Sequence, residues 1–318
     1  MINPNAQPID IAEQQVWLAD HKKERGYSWS QLSSKIGVPQ STLSMFPGGG
    51  YRGDNAPVAQ AVFKYRQLLR SQAEVAIEMR EPPSFYMTPT GKRIQTMLTM
   101  AQRGRIVVIA GAPGMSKTKV IEHYRQSVSN VWIATMAPST AGVNTMQQEV
   151  LESFGEADAK GTPRALSKKI VSFVKDTNGL IIIDEAQHTS ELALEEIRSW
   201  YDRTGIGIAL VGNEDVLTRL TLGNKADAFA RLASRVSQRF IFRGPQDGDA
   251  LALADAWDVH DDEQRAFIVS IAKQPGHLRT CTMMMETACM LAASENNELT
   301  IEHLRDAWSH LAIRQAGA

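Results

Sequence analysis

The chain has 318 residues, of which 43% are hydrophobic and 22% charged, with a net charge of −1. Those figures suit an ordinary globular chain of about two or three domains. They exclude binding to a polyanion through bulk charge, so any nucleic-acid contact must rest on local patches. The apolar runs are too short to span a bilayer, and the opening stretch from Met1 to Asp10 has neither the basic start nor the apolar core of a secretion signal.

Residues 10–70 read as a small helical module. Trp29 to Phe46 carries the spacing of a helix-turn-helix: Leu32 and Ile36 form the apolar face of a first helix, Gly37 makes the turn, Val38 plugs it, and Leu43 and Phe46 anchor a second helix. Gln40, Ser41, Thr42 and Ser44 on that second helix are polar types that can touch base edges or phosphates. A three-helix module that binds protein, or nothing, stays open as the plainer reading. Gly48-Gly49-Gly50-Tyr51-Arg52-Gly53 makes a flexible tip with one cation, Arg52, and a further helix is expected over 57–79. Glu81-Pro82-Pro83 breaks it, marking a linker over 71–87.

From about residue 88 strands and helices alternate. Strands are expected over 105–110, 131–136, 180–184, 207–211 and 239–242, with helices over 117–127, 145–154, 164–175 and 191–201 between them. Apolar strands with helical crossovers mean a parallel sheet covered on both faces. After Gly244-Pro245 only helical patterns remain, over 247–257, 261–273, 278–294 and 300–313. The expected organisation is a helix-turn-helix domain (1–70), a linker (71–87), an α/β core (88–243) and a helical C-terminal domain (244–318). Cys281 and Cys289 fall in one helical pattern, as core residues of a protein in a reducing cytoplasm.

Two segments carry the chemistry. Gly111-Ala112-Pro113-Gly114-Met115-Ser116-Lys117-Thr118 follows a strand pattern and opens a helix, the setting of a phosphate-binding loop. Backbone N–H groups would cradle the phosphates of ATP, Lys117 would reach the β- and γ-oxygens, and Thr118 would offer its hydroxyl to Mg²⁺. Ser116 stands where the pattern has glycine, a place where the backbone passes close to the phosphates; it leaves the hydrolysis rate open. Leu180 to Asp184 is a buried strand ending in Asp184-Glu185, with Asp184 as the metal-holding carboxylate and Glu185 as the water-activating base. Together they indicate a nucleotide triphosphatase.

Four further residues would complete the site. Asn213, at the tip of the fourth strand, can orient the attacking water, although Gly212-Asn213 also reads as a simple turn. Arg231 and Arg235 share one helix face; Arg235 is the expected arginine finger toward a neighbouring subunit and Arg231 its substitute, the alternative being a solvated or DNA-facing basic edge. Arg279, in the first turn of a C-terminal helix, can bend over the phosphates. Gln187 and His188 fall in the loop after the acidic pair, near nucleotide or DNA.

The order of phosphate loop, acidic strand end, strand-tip Asn, Ser-Arg finger and Gly-x-x-Arg resembles that of AAA+ ATPases. Nearly end to end, with Glu81-Pro82-Pro83, Asn130-Val131-Trp132, Ala254-Asp255-Ala256-Trp257 and 273–279 added, the chain resembles the bacteriophage Mu transposition protein B family. That resemblance implies an ATP-dependent, largely sequence-independent binder of double-stranded DNA. It implies a homo-oligomeric helical filament that delivers target DNA to a transposase, and hydrolysis that clears the protein near the element's own ends. Lys160, Arg164, Lys168 and Lys169 are candidates to line the DNA-facing surface, with a solvated helix face as the equal alternative. A helicase loader of the same superfamily and a non-hydrolysing helix-turn-helix regulator remain as other readings.

Overall fold

The computed structural model describes residues 9–78, 84–216 and 231–311. The Pro82-Pro83 break and Phe229-Ala230 of the arginine segment lie outside them. Two compact units result, Met1–Glu81 and Pro82–Ala318.

The first unit contains α1 (Ile11–Arg25), α2 (Trp29–Ile36), α3 (Gln40–Met45) and α4 (Asn55–Glu78). Asp10 accepts from the N–H groups of Ala12 and Glu13 to start α1, and Ser28 with Gln31 forms a capping box on α2. Gly37, at φ +78°, stops α2 in the left-handed region that glycine adopts without strain. Leu32, Leu43 and Phe46 then meet Leu18, Val58 and Val62 in one apolar cluster. Helix α4 runs through 71–78 as the expected helix over 57–79 has it, so the first residues assigned to the linker are helical; Ser71 to Glu78 contains neither glycine nor proline and is rich in helix formers.

The second unit opens with α5 (Pro89–Gln102) and continues as β1 (Ile106–Gly111), α6 (Lys117–Ser127), β2 (Val131–Thr135), α7 (Val143–Ser153), α8 (Pro163–Val174), β3 (Leu180–Asp184), α9 (Glu191–Thr204), β4 (Gly207–Gly212) and β5 (Val236–Phe242). The five strands are all parallel in the order β2-β3-β4-β1-β5. Alternate residues go to opposite faces. Ile106, Val108, Ile181 and Ile183 pack with α7–α9, whereas Val107, Ile109, Leu180 and Ile182 pack with α5 and α6. Strand β5 starts three residues before the expected 239 because it is an edge strand: Ser237, Gln238 and Arg239 are exposed and give no apolar signal.

Helices α10 (Asp247–Ala256), α11 (Asp262–Ala272), α12 (His277–Ser294) and α13 (Ile301–His310) follow. They share an apolar cluster that includes Trp257, Leu278 and both free cysteines. Burial pushes the Cys281 thiol up to about 12. The C-terminal helices are tied to α5 by a buried carboxylate: Asp249 accepts from the Thr90 N–H (2.8 Å) and hydroxyl (2.6 Å). No helix among the described residues is long and apolar enough to cross a membrane.

Candidate functional site

The loop between β1 and α6 lies at the C-terminal edge of the parallel sheet, where open α/β sheets bind ligands. Gly114, at φ +78°, lies where a Cβ would be 2.0 Å from the Gly276 carbonyl, and its own carbonyl accepts from the Arg279 N–H at 3.2 Å. Only glycine lets the loop pass this close to the start of α12. A cleft of about 530 Å³ opens between loop and helix, lined by Ser116, Lys117, Thr118, Glu185 and Arg279 among others.

Ser116 also has left-handed backbone, φ +58° and ψ +20°. The glycine preference at this position is therefore conformational as well as steric, at a cost of about 1–2 kcal/mol for a side-chain-bearing residue. Tyr86 lines a small cavity with Ser116 and Thr282, and burial lifts the Tyr86 pKa to about 12. Tyr86 was invisible to motif reading because it stands twenty-five residues before Gly111, the start of the phosphate loop, in unrelated sequence.

Lys117 is buried, and its Nζ donates to the carbonyls of Gly111 (2.8 Å) and Ala112 (2.9 Å). Burial pulls its pKa below the ordinary lysine value, against the opposing pull of the Glu185 and Asp184 carboxylates. Asp184 is almost fully buried at the end of β3, and burial raises its pKa; the Thr118 hydroxyl and the Glu185 N–H, which both donate to it, work the other way.

The Thr118 hydroxyl oxygen is 3.0 Å from Asp184 Oδ2. Adjacent ligands of an octahedral Mg²⁺ at about 2.1 Å from the metal are about 3 Å apart, so this all-oxygen pair fits Mg²⁺. Among the described residues no cluster of three or more His, Cys, Asp or Glu could hold a metal by itself. Two protein oxygens, with phosphate and water supplying the rest, is the arrangement Mg²⁺ favours in phosphoryl-transfer sites.

Lys117, Thr118, Asp184, Glu185 and Arg279 are thus brought together. Asn213 is placed differently from the expected water-orienting role. Its side chain closes a turn with Asp215 (Nδ2 to Oδ2 3.1 Å, Asp215 N to Oδ1 2.9 Å), and only its backbone N–H points back, to Gln187 Oε1 at 3.3 Å. Arg231 and Arg235 do not line the cleft of their own chain. They sit against α9, where Arg231 pairs with Glu195 at 3.6 Å and Arg235 with Asp202 at 3.2 Å, while Arg198 bridges the same two carboxylates.

Of the DNA candidates, Gln40, Ser41, Ser44 and Arg52 are exposed and Thr42 is half-buried. Lys169 is engaged with Glu156 at 2.9 Å. Arg164 and Lys168 share a groove of about 470 Å³ with Arg203 of α9, a third cation that sequence reading did not bring to them. Lys160 is exposed in the loop before α8.

Comparison with known proteins identifies the family. An AAA domain model matches residues 100–220, and a model of the Mu B transposition protein C-terminal region matches 234–311. The ATP-dependent target DNA activator B of Escherichia phage Mu is 33% identical over 287 residues, covering 90% of this chain and 91% of its own length, and that of Escherichia phage D108 has the same figures. The Mu-like prophage FluMu DNA transposition protein B of Haemophilus influenzae is 34% identical over 268 residues, 83% of this chain and 92% of that one. At this identity and coverage the chain belongs to the Mu B transposition protein family.

Proposed function

We propose that this chain is an ATP-dependent, largely sequence-independent DNA-binding ATPase that assembles as a helical filament on target DNA, presents that DNA to a transposase and activates it. Hydrolysis, stimulated by DNA and transposase, would then clear it near the element's own ends (target immunity). The relatives' naming as ATP-dependent target DNA activators supports the role. The observation that carries it is the cleft in which Lys117, Thr118 and Glu185 face the start of α12, with Asp184 buried against Thr118.

Lys117 exchanges its loop carbonyls for β- and γ-phosphate oxygens, and the exposed N–H groups at the start of α6 receive the rest of the polyphosphate. Thr118 and Asp184 would hold Mg²⁺, which would draw charge off the phosphates. Glu185 takes the proton of the attacking water. Arg279 senses nucleotide from the same chain, and Arg235 reaches the nucleotide of the next subunit. ATP thereby joins subunits head to tail, and a heterologous contact that does not close produces a filament. Arg164, Lys168 and Arg203, with Lys160 close by in sequence, supply phosphate contacts that are weak singly and add along the assembly. Gln40, Ser41, Thr42, Ser44 and Arg52 of the N-terminal unit give a second contact to DNA.

The test is anisotropy on a random-sequence duplex with ATP, with ADP and without nucleotide. Tight cooperative binding with ATP alone is expected; equal binding in all three would overturn ATP-gated assembly. Glu185→Gln is expected to bind with ATP and to release slowly.

A further inference from the structure

The Asp184-Glu185 pair is followed by a short 3₁₀ turn, Ala186–His188, whose second residue is a buried glutamine. Glu185 itself has φ +52°, a conformation that costs a non-glycine residue about 1–2 kcal/mol and so must be imposed by its surroundings. The imposed turn folds Gln187 back over Glu185: Gln187 Nε2 donates to Glu185 Oε2. Among the described residues this is the one hydrogen bond the Glu185 carboxylate receives. The other end of the same amide, Oε1, accepts from the Asn213 backbone N–H at the tip of β4 (3.3 Å).

The orientation of the amide follows from chemistry. An ionised carboxylate can only accept and a backbone N–H can only donate, so turning the amide over would break both contacts. The space is reserved as well. A Cβ on Gly212, the last residue of β4, would lie 2.3 Å from Gln187 Oε1, so the glycine leaves room for the amide. Asn213 has its own side chain committed to Asp215, and so touches Glu185 only through Gln187.

We infer that Gln187 is a positioning residue for ATP hydrolysis: it holds the Glu185 carboxylate in one rotamer through Nε2 and references it to the end of β4 through Oε1. The inference rests on the proposed role of Glu185 as base. A hydrogen bond to a charged group, lost at the moment of water activation, corresponds to roughly a 10- to 100-fold fall in rate.

The experiment measures steady-state ATP turnover on DNA for the full chain, its Gln187→Met and Gly212→Ala variants, and the same two changes in a Glu185→Gln background. It is paired with the affinity of each for a non-hydrolysable ATP analogue. Gln187→Met keeps the volume and removes the donor; Gly212→Ala leaves the glutamine in place but displaces its amide. Both are expected to lower kcat by 10- to 100-fold, leave KM and analogue affinity within about twofold, and add nothing once Glu185 is already Gln. A purely structural glutamine would reduce analogue affinity with kcat, or multiply its loss onto that of Glu185→Gln; either result overturns the inference, as does an unchanged or raised kcat. An unmodified chain that shows no turnover would overturn the proposed hydrolysis and this inference together, whereas normal turnover with multiplicative losses overturns this inference alone.

Discussion

Lys117 and Asp184 on one side of the machinery, and Arg231 and Arg235 on the other, are held in opposite ways. The first pair is at most 9% exposed and is tied by hydrogen bonds to the loop carbonyls and to Thr118. The two arginines have side chains 63% and 47% exposed and rest on Glu195 and Asp202. Exposed ion pairs of this kind are worth about 0–1 kcal/mol. The fold therefore fixes Lys117 and Asp184, the half that in the proposed site grips phosphate and metal, and leaves the two arginines free to leave their present partners for a better anion at small cost. A γ-phosphate on an adjoining subunit, in a site that excludes water, is such an anion.

The largest expected effect is that of Lys117→Ala, which should abolish ATP-dependent DNA binding measured by anisotropy; full retention would break the comparison at its buried end. Arg235→Ala should lower DNA-stimulated turnover by about 10³-fold while ATP affinity is kept, as removal of a charge-stabilising arginine does. If Arg231→Ala shows that loss instead, the finger is Arg231. Arg203→Ala should weaken DNA binding modestly and reduce the slope of log affinity against log salt by about one, the mark of a single phosphate contact. An unchanged slope would remove Arg203 from the DNA surface.

The smallest effect concerns the energetic cost of the buried half. Because burial raises the Asp184 pKa above 3.8, the folded state holds that proton more tightly than the unfolded chain. Stability from this group is thus present at low pH and lost as pH rises through the raised pKa. Asp184→Asn removes the buried charge and keeps an acceptor for Thr118 at the loss of the one for the Glu185 N–H, so the nucleotide-free protein should melt higher at pH 7 by at most about 2–4 °C. The gain should shrink as pH falls toward 3.8. A lower melting temperature at pH 7 would contradict this account of Asp184.

Much of this architecture can be read before any coordinates. Leu180–Asp184 is bounded correctly from sequence because both its faces are buried and its apolar run is uninterrupted. The phosphate loop is legible because every residue in it is constrained by one backbone path. What escapes is set by tertiary encounter. Arg203 joins Arg164 and Lys168 only because α8 and α9 lie side by side, and Tyr86 comes to Ser116 only where both line one cavity with Thr282 of α12. The exposed start of β5 carries a weak local signal, since it needs no apolar run to form. Gln187 stands two residues beyond the acidic pair, yet its role depends on the left-handed turn at Glu185, which no side-chain pattern announces.

The central claim, that a working site needs two subunits, is tested most directly by mixing two variants that each turn over only slowly. Arg235→Ala retains Glu185 but lacks the arginine; Glu185→Gln binds ATP and retains the arginine. Turnover on DNA should reappear on mixing, rising with the fraction of mixed interfaces. Mixtures that stay as slow as their components would show that Arg235 does not act across the interface.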